Sequence, residues 1–211
     1  MGAYWPEFLK LAIAHMLAVM SPGPDFAIVL RQSLTHGRRT AIWTSVGVGS
    51  AICLHVTYSM FGLGLLLRSS PAAFTVLKFA GASYLAWLGV RALRAAPYPP
   101  AGGAAAATAV PGAHSAWTTG FLNNALNPKA ALCIIAFFAT LVSGATPIPV
   151  KTAYGVWMSL TTMAWFSLVS VVFTRERVRR AYLGSSRWID RSLGVVFLLF
   201  AASLVASSVR P

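Results

Sequence analysis

The sequence predicts an all-α integral membrane protein of six transmembrane helices, arranged as two inverted three-helix repeats with broken first and fourth helices. Three observations carry that prediction. Of 211 residues, 57% are hydrophobic and only 10% charged, and mean hydropathy is +0.68. A soluble domain carries about a quarter charged residues, so this chain has too few to cover a water-facing surface. Six apolar runs, each near the ~20 residues a bilayer crossing needs, fall between Arg clusters, prolines and polar turns. Proline-rich interruptions then recur at matching places in the first and fourth runs.

The spans lie at about 5–30, 41–67, 71–94, 117–143, 150–174 and 188–208. In the third, Lys78 and the very short preceding turn Arg68 to Ser70 leave a re-entrant or strongly tilted segment as the alternative. Residues 95–116, containing PYPPAGGAAAATAVPG, are Pro/Gly/Ala-rich and read as a flexible linker. They divide one membrane domain into repeats at 1–94 and 117–211. The N-terminus has no basic residue before Glu7 and no evident cleavage site, so the first helix is expected to remain.

Net charge is +13, from 17 Lys and Arg against Glu7, Asp25, Glu176 and Asp190. The cations lie in short loops between apolar runs, which fixes orientation and meets anionic lipid; it implies no nucleic-acid partner. Arg31, Arg38, Arg39, Arg91, Arg94 and the cluster Arg175, Arg177, Arg179, Arg180, Arg187 and Arg191 lie in alternate loops. Only Arg68, Lys151 and Arg210 lie on the other side, a bias of eleven to three that places those three loops in the cytoplasm and both termini outside.

The first break is Ser21-Pro22-Gly23-Pro24-Asp25: two prolines free the carbonyls of Ala18 and Met20, and Gly23 is expected to let the chain turn. The second is Asn123-Asn124-Ala125-Leu126-Asn127-Pro128-Lys129, where Pro128 frees the carbonyl of Asn124. Aligning Pro24 with Pro128 pairs Asp25 with Lys129, and a looser match sets Lys78-x-x-Gly81 against Arg191-x-x-Gly194. A repeated unit of three spans must insert the second time upside down, and inverted repeats with discontinuous helices are the pattern of secondary transporters.

A half-helix starting at mid-membrane offers unpaired N–H groups and a positive dipole end, and the freed carbonyls offer acceptors. Asp25 is the one acid well inside an apolar run, where an unpaired carboxylate costs several kcal/mol. Asp25, Asn123, Asn124, Asn127 and Lys129 are therefore the candidate substrate-binding or proton-coupling residues. The plainer alternative makes Asp25 a cap of the restarted helix with Lys129 its counter-ion, and the amides interhelical glue. Gly47, Gly49, Ala51, Gly62 and Gly64 give the second span small packing faces, consistent with association of further copies. His15, His55 and Cys53 match no metal motif, so neither metal nor cofactor is expected. Cys53 and Cys133 read as small apolar residues. No clustered nucleophile and base suggests an enzyme.

SPGPDFAIVLRQSL from Ser21 with GRR at 37–39, LKFAGASYLAWLGVRALR at 77–94, GFLNNALNPKAAL at 120–132 and RWIDRSLGVVFLLFAASL at 187–204 resemble the LysE/RhtB family of bacterial amino-acid exporters. The likeness covers nearly the whole chain. It implies inner-membrane efflux of amino acids or their derivatives driven by the proton gradient, and the SPGPD form is closer to the threonine and homoserine branch than to the basic amino-acid branch. It carries the family's helix-breaking motif onto Pro22, Gly23, Pro24 and Asp25 and its second motif onto Asn127, Pro128 and Lys129. The Ala- and Gly-rich stretch from Ala101 to Ala109 departs from it. The rival reading is efflux of a metal ion or another small solute by the same architecture.

Overall fold

The computed structural model describes residues 4–94, 110–173 and 175–209, and among these every regular element is a helix. In order they are α1 (Trp5–Met20), α2 (Pro24–His36), α3 (Arg38–Ser69), α4 (Pro71–Leu93), α5 (Ala113–Ala125), α6 (Pro128–Leu141), α7 (Ile148–Val172) and α8 (Glu176–Val209). A bent pair followed by two long helices thus occurs twice. The bend is 51° between α1 and α2 and 59° between α5 and α6. Residues 38–62 of α3, and α7, are each long and apolar enough to cross a membrane, as each bent pair is when taken as one span. Residues 95–109 of the expected linker lie outside the described residues, and 113–116 already belong to α5.

Prolines punctuate the chain. Pro22 and Pro24 stop α1 at Met20 and open α2, where a missing N–H is harmless at the first position. Pro71 and Pro128 likewise begin α4 and α6. The turn between α2 and α3 needs a glycine, because Gly37 has φ 85°. The chain bends at Gly23, the N-cap of α2, in extended backbone with φ −167° and ψ −166° between the two prolines. The arginine-rich stretch expected as a loop before 188 is helical from Glu176, because Arg is a good helix former and no proline interrupts it.

Helices approach most closely at small residues. A Cβ on Gly120 would stand 2.0 Å from the Thr44 carbonyl oxygen, and one on Gly47 2.0 Å from that of Trp117, so the α3 and α5 backbones touch. Gly89 and Gly194 face each other across α4 and α8, a Cβ on either falling 2.7–2.9 Å from the other's carbonyl. Gly62 has open space around it. Where lipid competes for apolar surface, such close fits and interhelical hydrogen bonds hold helices together. Ser159 donates to the Gly49 carbonyl at 2.7 Å and Ser33 to that of Ser170 at 2.6 Å.

Two apolar clusters form the interior. One contains Leu11, Leu85, Phe137, Met158 and Phe197, the other Phe26, Val29, Val48, Phe166 and Phe173. On the outside, Trp5, Leu9 and Ile13 expose an apolar stripe at helical spacing along α1, and Val156 and Leu160 do so on α7, which suits lipid rather than water. Glu7 ties α1 to the α6–α7 loop by accepting from the Ser143 N–H at 2.9 Å and the Thr146 hydroxyl at 3.0 Å.

Candidate functional site

The site forms where the two breaks meet. Gly23 is the N-cap of α2 and Asp25 stands in its first turn, where the helix dipole favours a carboxylate. Both carboxylate oxygens nevertheless turn across to the other break instead of capping their own helix. Asn123 Nδ2 donates to Oδ1 at 2.8 Å, and Asn124 Nδ2 and Asn127 Nδ2 donate to Oδ2 at 3.0 Å each. A carboxylate accepts only, so each amide must present its nitrogen, and that orientation follows from the network.

Asn123 and Asn124 reach Asp25 from the end of α5, which stops at Ala125. Asn127 follows in extended backbone, φ −80° and ψ 108°, and is the N-cap of α6. Its Oδ1 accepts from the Lys129 N–H at 3.0 Å while its Nδ2 serves Asp25. One amide therefore satisfies an orphan donor of α6 and a buried acid on α2. The expectation of a free N–H at this helix start is corrected for Lys129, whose backbone donor Asn127 occupies.

Pro128 leaves the Asn124 carbonyl without its helical partner, and two other donors take it. The Asn127 N–H reaches it at 2.9 Å, and His55 Nε2 lies 3.1 Å away. A carbonyl only accepts, so in a neutral His55 ring the proton is on Nε2 and Nδ1 accepts from the Tyr58 hydroxyl at 2.6 Å. His15 Nε2 similarly faces the Met158 carbonyl and the Thr162 hydroxyl, both at 3.1 Å.

Lys129 does not bond to Asp25. Its ammonium donates to Ser21 Oγ at 3.2 Å, and the Ser21 hydroxyl donates to Asp190 Oδ1 on α8 at 2.8 Å. Asp25 and Lys129 instead line one cavity of about 50 Å³, room for a few waters. Ser21, Asn124, Asn127, His15 and Thr162 add to its polar wall, while Phe26 and Phe137, one from each apolar cluster, help form the apolar wall.

The family model of the LysE type translocator matches residues 16–208, a stretch holding both breaks and the residues bonded to Asp25 and Lys129. The chain belongs to the LysE type translocator family. It is 29% identical over 202 residues to a threonine efflux protein of Salmonella typhi, covering 95% of this chain and 98% of the relative. It is 28% identical over 201 residues to a threonine efflux protein of Escherichia coli K12, with the same coverage. It is 27% identical over 208 residues to a leucine efflux protein of Klebsiella pneumoniae, covering 94% of both chains. No solved structure matches.

In this translocator the sequence-expected residues Asp25, Asn123, Asn124, Asn127 and Lys129 come together, and Pro22, Pro24 and Pro128 make the breaks that bring them there. Lys78 and Gly81 of the looser repeat match have side positions outside the described residues, whereas Gly194 packs on Gly89. The sequence pattern does not mark Ser21 or Asp190 as partners of this site. Asp190 stands among arginines at the edge of the sixth apolar run, which conceals it as one more loop charge. With α8 beginning at Glu176, it lies well inside a helix, its side chain half-buried against the first break. The signal available was its rarity: it is one of four acids in the chain.

Proposed function

We propose that the protein exports a small neutral or polar amino acid across the bacterial inner membrane in exchange for protons, by alternating access. In this reading it has six spans, built from inverted repeats at 1–94 and 117–211, with both termini periplasmic. The observation that carries it is that a carboxylate and an ammonium, one from each break, line the same cavity. A free amino acid is a zwitterion, and this cavity offers a counter-charge to each end. The relatives named for threonine and leucine efflux support the substrate class.

The amide cluster defines what Asp25 contributes. A carboxylate has about four acceptor positions, and three here are filled by Asn123, Asn124 and Asn127. The remaining position takes either the substrate ammonium or a proton. Mutual exclusion at one oxygen is what an exchanger needs: substrate leaves as a proton enters, and the proton returns inward to restore the site. Lys129 takes the substrate carboxylate. A dibasic substrate would bring a second cation, for which this cavity offers no further carboxylate among the described lining residues.

Inverted membrane vesicles from cells expressing the protein, given labelled threonine, homoserine and leucine and an acid interior, test this reading. Accumulation of at least one, abolished by an uncoupler, is expected. Accumulation of none, with the protein shown to be folded and inserted, overturns it.

A further inference from the structure

Resting on that export reading, we propose that Asp190 is a resident stand-in for the substrate carboxylate: through the Ser21 hydroxyl it holds Lys129 between substrates, and the arriving carboxylate displaces it and releases α8 from the first break. The direction of the chain is fixed by chemistry. Lysine only donates and a carboxylate only accepts, so Lys129 gives to Ser21 and Ser21 gives its single proton to Asp190, at 3.2 and 2.8 Å. Ser21 is buried, and hydrogen bonds in such a chain strengthen one another. Three elements meet there: Ser21 at the end of α1, Lys129 in the first turn of α6, and Asp190 on α8.

The surrounding charges favour an exchange of partners. Lys129 is in electrostatic reach of Asp25 on α2, Asp190 on α8 and Arg91 on α4, and of the Cys133 thiol on its own helix. On α8 itself Arg191 lies over the Trp188 ring, its guanidinium carbon 5.8 Å from the centroid. From α1, His15 turns to Met158 and Thr162. Asp25 is occupied by three amides and makes no bond to Lys129, whereas Asp190 reaches Lys129 only through one neutral hydroxyl, so Asp190 is the carboxylate that a substrate can displace. A substrate carboxylate in the cavity contacts the ammonium directly, and a charge-assisted bond of that kind is stronger than one relayed by a hydroxyl. The α8 helix packs on α4 through Gly194 and Gly89, so loss of the Asp190 contact frees the two together to move relative to the break.

The proposal predicts tighter, not weaker, substrate binding when the stand-in is neutralised. In proteoliposomes carrying out threonine counterflow, Asp190→Asn should lower the half-saturating threonine concentration by roughly five- to tenfold, a usual size for coupling between two ligands of one group. Asp190→Glu should restore it. Threoninamide, which keeps the ammonium and lacks the carboxylate, should inhibit Asp190→Asn no more tightly than wild type. Ser21→Ala breaks the same chain and carries the same prediction should Asp190→Asn fail to fold. An unchanged or raised half-saturating concentration in both variants, or an equal tightening for threoninamide, overturns the proposal. Wild-type protein that exchanges neither threonine, homoserine nor leucine overturns the export reading itself, and this proposal with it.

Discussion

Asn127 holds both sides of the site at once. Asn127→Ala removes the cap of α6, worth about 1 kcal/mol, together with a hydrogen bond to a buried carboxylate, worth roughly 1.5–3 kcal/mol. Asn123→Ala removes only a bond of the second kind. Thermal unfolding in detergent should therefore show the larger loss for Asn127→Ala; an equal or smaller one would mean that the cap and the Asp25 bond do not act together. Gly23→Ala should fold and insert, since its backbone is extended and a Cβ there would lie 3.5 Å from Lys129 Nζ, an ordinary contact. Its failure to reach the membrane would contradict the extended, uncrowded backbone at this position. The residue types of the site were legible because a lone acid and three amides beside prolines have no place in an apolar run without a use. Their partners were not, because those depend on the direction in which side chains leave a break. Aligning Asp25 with Lys129 placed both in one cavity but suggested a pair, where the structure gives amides to one and Ser21 to the other.

At the scale of helices, the breaks and the close crossings set the architecture. Gly120→Ala would place a methyl carbon 2.0 Å from the Thr44 carbonyl, which is backbone and has little freedom to retreat. Separating α3 from α5 should cost on the order of several kcal/mol and be read as loss of monodisperse protein in size-exclusion chromatography. Gly62→Ala, with open space around it, should be neutral or stabilising by about 0.5–1 kcal/mol. If the two behave alike, the α3–α5 contact is not as close as described. Proline positions made the ends of α1, α2 and α6 at the two breaks legible, whereas α2 runs to His36, six residues past the expected end of its span at about 30. The start of α8 was missed because a run of arginines reads as a loop by charge, yet charge does not oppose a helix whose exposed side meets water or headgroups.

For the whole molecule, the proposal of six spans, joined to the eleven-to-three distribution of cations, assigns each loop to a compartment. In a background without Cys53 and Cys133, Ala145→Cys in the α6–α7 loop should react with a membrane-impermeant thiol reagent applied from the periplasm. Val110→Cys before α5 should react only once the inner membrane is opened. Both positions are exposed, so the reverse pattern would invert the orientation, and reaction of both from one side would remove a span. The class of the molecule was legible from composition alone. The number of crossings is harder to read, because α4 carries Lys78 and α8 its arginines, and length and apolarity alone do not separate a span from a tilted segment.

The central claim, that Asp25 in the meeting of two breaks holds the exported solute or its exchanging proton, is tested most directly by labelled threonine uptake into acid-loaded inverted vesicles containing matched amounts of folded wild-type or Asp25→Asn protein. The account predicts uncoupler-sensitive accumulation by the wild type and a rate about a tenth of it or lower for Asp25→Asn, the loss expected when one charged contact to the solute is removed. Accumulation by Asp25→Asn at the wild-type rate would contradict it.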